Sequence, residues 1–269
     1  MTKYIVLVGP AGSGKSTLAK ALWELASSRG PKTIIVNFDP AVEVLPYDPH
    51  IDVRNLVSVE DFMKKGLGPN GALIASVASL VNYVDEIKSE IDKYSADITI
   101  IDTPGQLELF AYRSSGPVII NTIVGEDPAV TLFLIDAPFF EDPLSIVSAL
   151  SLSSSVAVRM GLPQVNVATK SDLLLPEIVD ELIPRLSEEG YLESLIEDVP
   201  RIDYNIKLLA LHLAAAVRDS GFIGEILPVS IYNEDLLKLV YAKVLQIVSQ
   251  GEEPSIEIEE DEDAEYGRG

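Results

Sequence analysis

The sequence predicts an α/β fold of three layers, a mainly parallel sheet covered by helices on both faces, with helical insertions between strands. Three observations carry this prediction. Apolar, β-branched runs recur along the chain with helical stretches between them, the pattern of repeated strand–helix–strand units. The runs are continuous rather than alternating in polarity, as strands covered on both faces require. A glycine-rich turn, Gly9-Pro10-Ala11-Gly12-Ser13-Gly14-Lys15-Ser16, joins the first run to a helical stretch. With 269 residues, 47% of them hydrophobic, there is enough apolar material for one large domain over residues 1–250, including a helical insertion at about 55–95.

The first strand is the run Tyr4 to Val8. The turn behind it spells G-x-x-x-x-G-K-[ST], in which glycines let consecutive backbone N–H groups converge on phosphate oxygens at the positive end of the next helix. Gly12, Ser13 and Gly14 form the candidate cradle, Lys15 neutralises β- and γ-phosphates, and Ser16 offers its hydroxyl to Mg²⁺. The second strand, Thr33 to Phe38, ends in Asn37-Phe38-Asp39-Pro40-Ala41. Asp39 is a candidate to hold magnesium through water. Two other readings stand beside it: a ribose-binding acid of a dinucleotide fold, although glycines 9, 12 and 14 do not spell G-x-G-x-x-G, and an aspartate that simply opens a turn before proline.

Gly68-Pro69-Asn70 reads as a tight turn whose asparagine caps a long helix from about Gly71 to Tyr94. The third strand, Asp97 to Ile101, leads into Asp102-Thr103-Pro104-Gly105-Gln106. A carboxylate at a strand end is the usual holder of Mg²⁺ behind a phosphate loop; Gly105 could present its N–H to a γ-phosphate, and Gln106 could orient an attacking water. The apolar segment Leu107 to Val124 is either a surface that responds to the nucleotide or ordinary core and dimer packing, and Arg113 within it reads as a solvated helix residue that could swing inward. After the fourth strand, Val130 to Ile135, and the fifth, Gln164 to Thr169, comes Thr169-Lys170-Ser171-Asp172, an [NT]-K-x-D pattern. Asp172 would accept from guanine N1–H and the exocyclic amine, with the Lys170 stem over the base. Adenine would leave the carboxylate unpaired at a cost of about 1–3 kcal/mol. The sixth strand, Glu225 to Val229, closes with Leu227-Pro228-Val229-Ser230 where a further base-contacting loop is expected.

Composition narrows the remaining classes. There are no cysteines, which excludes disulfides, thiol catalysis and cysteine-bound metals, and His212, one of two histidines, reads as a packed helix residue. The formal net charge of −22 and the lack of a basic patch argue against direct nucleic-acid binding. Residues 251–269 carry nine acidic side chains against one arginine, an expected disordered tail that either solubilises the chain or docks a basic partner. No apolar run approaches the length of a membrane span, and the phosphate loop begins too early for a removable signal, so a soluble, cytoplasmic protein without membrane contact is expected.

Taken in order, Gly9 to Thr17, Phe38-Asp39-Pro40-Ala41, Gly68-Pro69-Asn70, Asp102 to Gln106 and Thr169 to Asp172 resemble the GPN-loop GTPases. The likeness extends over roughly residues 3–245 and is that of an archaeal-type single member or a close relative. It implies a phosphate-loop nucleotide hydrolase fold and a homodimer that binds GTP and GDP. In that dimer each subunit's GPN loop (Gly68, Pro69, Asn70) acts in trans at the partner's nucleotide. The site residues it implies are Gly12, Ser13, Gly14, Lys15, Ser16, Thr17, Gly105, Thr169, Lys170 and Asp172 for the nucleotide, Ser16, Asp39 and Asp102 for Mg²⁺, and Lys15, Asn70, Asp102 and Gln106 for hydrolysis. Related enzymes often carry an extra lysine early in the phosphate loop; Pro10 stands near that position here. With no arginine finger in the motifs, slow turnover and a switching role are expected, in aid of an unnamed protein client and the assembly of complexes such as RNA polymerase. A partition- or carrier-type ATPase, a GTP-gated scaffold that does not hydrolyse and a small-molecule kinase remain the alternatives. The last fits least, because only eight arginines are present and none are clustered.

Overall fold

Side chains of β1 (Lys3–Val8) alternate between the two faces of a parallel sheet, Tyr4, Val6 and Val8 to one apolar layer and Ile5 and Leu7 to the other. A computed structural model describes residues 1–221 and 225–249. Among these residues the other strands are β2 (Thr33–Asn37), β3 (Ile51–Asp52), β4 (Ile98–Asp102), β5 (Ala129–Asp136), β6 (Gln164–Thr169) and β7 (Ile226–Val229). Their order across the sheet is β3-β2-β4-β1-β5-β6-β7, and each neighbouring pair is parallel. The six expected strands are present with ends within one residue of the expected ones. Pro228 lies in edge strand β7, where a missing N–H interrupts no ladder.

The helices are α1 (Lys15–Ser28), α2 (Val59–Lys64), α3 (Pro69–Ser79), α4 (Val84–Tyr94), α5 (Leu107–Phe110), α6 (Ser115–Val124), α7 (Pro143–Met160), α8 (Ile183–Arg185), α9 (Tyr191–Glu197), α10 (Tyr204–Asp219) and α11 (Glu234–Val248). Leu18 and Leu22 of α1 and Val240 and Val244 of α11 pack on the Ile5 and Leu7 face. The opposite layer holds α4, α6 and α7 through Ile87, Ile91, Ile119, Ile123, Ile146 and Leu150. Helices thus cover both faces of the sheet, and the strands' carboxyl ends form the open edge at which ligands of such folds bind.

Four expectations need correction. The helix expected over 71–94 is two helices, α3 and α4, separated by a 3-10 turn at Leu80–Tyr83. That turn and α4 both pack on α6, and the change of direction keeps Leu80, Val84 and Ile87 in one apolar layer. Asn70 does not cap α3: Gly68 is at the cap position, Pro69 and Asn70 open the helix, and no side-chain cap bond is made. Proline, with its fixed φ and missing N–H, is the better first residue of a helix. His212 is exposed on α10, because Ala210, Ala214 and Val217 form that helix's buried side and turn His212 away from it. Finally, α7 is long and apolar enough to cross a membrane by composition alone, with a mean hydropathy of 1.3. It passes that test because small and aliphatic residues fill it, and it packs Ile146, Leu150 and Val156 into the core.

One strand and the setting of one residue also depart from expectation, although the residue is solvent-exposed as expected. β3 was not expected, since two residues at the sheet edge give no run. Arg113 lies exposed in the bend between α5 and α6 rather than in a helix. The acidic tail of 251–269 falls outside the described residues.

Candidate functional site

The phosphate loop takes its shape from close approaches that only glycine allows. A Cβ on Gly9 would lie 2.8 Å from Ser13 Oγ and 3.0 Å from Leu134 O. Gly12 and Gly14 have φ of 79° and 89°, left-handed backbone that carries no steric cost without a side chain. The chain then enters α1 at Lys15, which is 6% exposed and whose Nζ donates to Gly9 O and Pro10 O, 2.9 Å each. Burial pushes the Lys15 pKa down, against the pull of Asp102 and Asp39. Ser16 is half-buried, and Gly12 and Thr17 are exposed.

Asp102 ends β4 at 2% exposure. Tyr47 Oη donates to its Oδ2 at 2.7 Å, while Oδ1 is buried without a hydrogen bond of ordinary length, although the Ser16 hydroxyl stands close enough to act on the carboxylate. Burial raises the Asp102 pKa, although the Ser16 and Tyr47 hydroxyls and Lys15 favour its ionised form. Asp39 acts on the same two groups through its charge, and its Oδ1 accepts from Ala41 N at 2.9 Å, the bond of the turn reading. An uncompensated buried carboxylate oxygen near a serine hydroxyl and a second carboxylate suits a hard, oxygen-seeking cation. Mg²⁺ in particular takes one or two carboxylates and completes its shell with phosphates and water. Ser16, Asp39 and Asp102 therefore fit Mg²⁺. Among the described residues no cluster of three or more His, Cys, Asp or Glu offers an all-protein metal cage.

The turn after Asp102 lies across the phosphate loop. A Cβ on Gly105 would be 3.3 Å from Ala11 Cα and 3.6 Å from Lys15 Nζ, and Thr103 Oγ1 donates to Leu7 O at 2.6 Å. Gln106 is exposed at the start of α5 and makes no cap bond, which leaves its amide unengaged by the helix end. On the other side of the loop lies a cavity of about 290 Å³, with Thr17, Leu18, Lys170, Asp172, Ile231 and Tyr232 in its wall. Asp172 is exposed; Lys170, in left-handed backbone with φ of 57°, pairs with Asp136 Oδ2 at 2.9 Å. Thr169 is 4% exposed, and its hydroxyl faces Ser13 O at 2.8 Å and Ile135 O at 3.2 Å. Of Leu227-Pro228-Val229-Ser230 only Val229 reaches this cavity; Ile231 and Tyr232, one step further along, complete the wall.

A phosphate loop, two carboxylates that follow strands and a T-K-x-D cavity thus lie at one edge of the sheet, and comparison with known proteins gives the family. The family model described as "Conserved hypothetical ATP binding protein" matches residues 7–250. GPN-loop GTPase 3 of Eremothecium gossypii is 31% identical over 92% of this chain and 92% of its own length. GPN-loop GTPase 3 of Dictyostelium discoideum is 34% identical, with 72% of each chain covered. The chain belongs to the GPN-loop GTPase family. The fold agrees with a GTPase from Pyrococcus abyssi, solved in its apo form, at a TM-score of 0.80 and 26% identity, covering 91% of this chain and 97% of that one.

The tripeptide for which the GPN family is called, Gly68-Pro69-Asn70, is exposed at the start of α3, and α3 packs against α5 and α6, the helices directly behind Gln106. The crevice also uses residues that the motifs do not contain. Tyr47, Ile231 and Tyr232 sit outside every pattern, although Pro46-Tyr47 after the acidic turn was a visible aromatic in a polar loop. Arg54 was equally silent: Nε donates to Asp52 Oδ2 at 2.9 Å and Nη1 to Val42 O at 3.0 Å, which fastens the loop that carries Asp39.

Proposed function

We propose that this chain is a homodimeric, Mg²⁺-dependent GTPase that converts GTP to GDP and phosphate and serves as a nucleotide switch. The observation that carries the reading is the shared crevice: Lys15, Asp102 and Gly105 meet at the phosphate loop, and Thr169 Oγ1 ties that loop to the end of β6, from which the turn bearing Asp172 leaves. The β- and γ-phosphates would take over the Lys15 Nζ bonds now made to Gly9 O and Pro10 O. Mg²⁺, held by Ser16 with Asp39 and Asp102 reached through water, would supply charge neutralisation at the phosphate oxygens. Asp102 and Gln106 would place the attacking water in line with the γ-phosphorus. The bond to the β–γ bridging oxygen breaks as the new P–O bond forms, GDP leaves, and the water's proton goes to solvent or phosphate.

Slow turnover fits the arginines near the site. Arg54 is engaged by Asp52 and Val42, and Arg113 is exposed in its bend, so neither supplies an in-place charge of the kind worth about 10³–10⁵ in rate. Asn70 would act at the partner's nucleotide by orientation and hydrogen bonding, without the charge of a trans lysine, since Pro10 stands near that position. The same reading makes the protein a cytoplasmic helper in assembling protein complexes, RNA polymerase being the case that the family resemblance suggests.

Titration with GTP, ATP and xanthosine triphosphate tests it. Wild type should prefer GTP by about tenfold, the equivalent of one unmade hydrogen bond at a carboxylate that the bound base would cover, and Asp172→Asn should lose GTP and admit the xanthine nucleotide. Equal binding of GTP and ATP, or selectivity untouched by Asp172→Asn, would remove the guanine reading.

A further inference from the structure

The loop between β2 and β3 is pinned at both ends by bonds that no nucleotide motif explains. At its start, Asn37 Nδ2 donates to Asp39 O at 3.2 Å and to Asp52 Oδ1 at 3.0 Å, and Asn37 Oδ1 accepts from Asp39 N at 3.0 Å. At its end, His50 Nδ1 accepts from Ile35 N at 3.2 Å and His50 O accepts from Tyr94 Oη at 3.0 Å. Between these anchors Tyr47 turns inward to 7% exposure and packs with the α1-side core. A buried phenol needs a partner for its hydroxyl, and here the partner is the carboxylate at the end of β4, 55 residues further along the chain.

We propose that Tyr47 is a positioning residue for the cation: by donating to Asp102 Oδ2 it fixes the carboxylate plane and leaves Oδ1 as the one oxygen that faces the cation's water shell. The inference rests on the Mg²⁺-GTPase reading above. A carboxylate on a short side chain rotates freely about its last bond and offers either oxygen. One short, charge-assisted bond removes that choice. The asymmetry is visible in the structure, with Oδ2 engaged at 2.7 Å and Oδ1 buried without a partner. The phenol stays a donor, because burial and the neighbouring Asp102 charge push its pKa far above the ordinary value. Its contribution, set by the bond to Oδ2, is geometric. Because Asp39 and Tyr47 lie on one pinned loop, both carboxylates assigned to the cation are set by the same segment.

Tyr47→Phe keeps the ring and removes only the hydroxyl. The experiment is dissociation of a fluorescent GDP from the full-length protein, measured across Mg²⁺ concentrations and in EDTA. Mg²⁺ for half-maximal retention should rise about tenfold in Tyr47→Phe, the scale of one hydrogen bond to a charged group, while GDP dissociation in EDTA stays at the wild-type rate. In an Asp102→Asn background the same substitution should add no further shift, since the group it positions is gone. An unchanged Mg²⁺ requirement, equal acceleration in EDTA, or an undiminished shift in the Asp102→Asn background would each overturn the proposal. Wild type whose GDP retention ignores Mg²⁺ would overturn the cation reading and this inference with it, whereas a Mg²⁺-dependent wild type matched by Tyr47→Phe removes the inference alone.

Discussion

Replacing Thr169 by valine changes one hydroxyl for a methyl and tests what the first residue of the T-K-x-D loop does. Its Oγ1 has a single proton and lies 2.8 Å from Ser13 O and 3.2 Å from Ile135 O, so the bond to the phosphate loop is the shorter of the two. At 4% exposure no water can replace it, and Ser13 O is left facing a methyl group. The expected loss is about 1–3 kcal/mol, the range for removing one partner of a buried hydrogen bond. For a domain of this size that is a fall in Tm of roughly 2–12 °C. Each 1.4 kcal/mol that falls on the loop is about tenfold in affinity, so GDP and GTP should both bind about tenfold more weakly, with the preference over ATP unchanged. Thr169→Ser, which keeps the hydroxyl, should recover most of both losses. Thermal unfolding and fluorescent-nucleotide titration read the two effects separately. A valine variant with wild-type melting and a changed guanine preference would refute the reasoning, because the hydroxyl would then be reading the base and not holding the loop.

Two further outcomes are expected. Gln106→Ala should slow single-turnover phosphate release by about 10²-fold, the lower range for losing a positioned catalytic group, with GTP affinity kept; unchanged release would exclude Gln106 as the water-placing residue. Mixing Asn70→Ala subunits with Lys15→Ala subunits should give hybrid dimers in which one nucleotide site carries both defects and the other carries neither. Half the wild-type turnover is then expected of the hybrids, and full activity from isolated monomers would end the trans arrangement.

The strands were legible because continuous β-branched runs have no other stable reading once helices cover both sheet faces, and their ends fell within one residue of expectation. The phosphate loop, Asp102 and Asp172 were legible for a related reason: backbone bends and strand-end carboxylates are fixed locally by residue type. What escaped depended on partners distant in sequence. Tyr47 gains its meaning from Asp102, and Thr169 from Ser13, 156 positions earlier. The break between α3 and α4 is set by packing on α6, and no glycine or proline at Leu80–Tyr83 announces it. His212 was misread because the run Leu208 to Ala214 is apolar on both sides, with Leu209 and Leu213 exposed, so the pattern did not say which stripe faces inward.

The strand order also sets a timetable. β1 is made before the other strands of the sheet but sits mid-sheet, and its Ile5 pairs with Ile100 of β4 and Val130 of β5. Translation at about 5–20 residues per second separates Ile5 from those partners by on the order of ten seconds. Through that interval the phosphate loop is present as sequence yet has no strand ends to hang from. The cavity beside Asp172 waits longer still, for Val229 of β7 and for Tyr232 beyond it. A nucleotide in this crevice can therefore stabilise the sheet only after β7 has been made, and the earlier strands must survive on apolar packing alone.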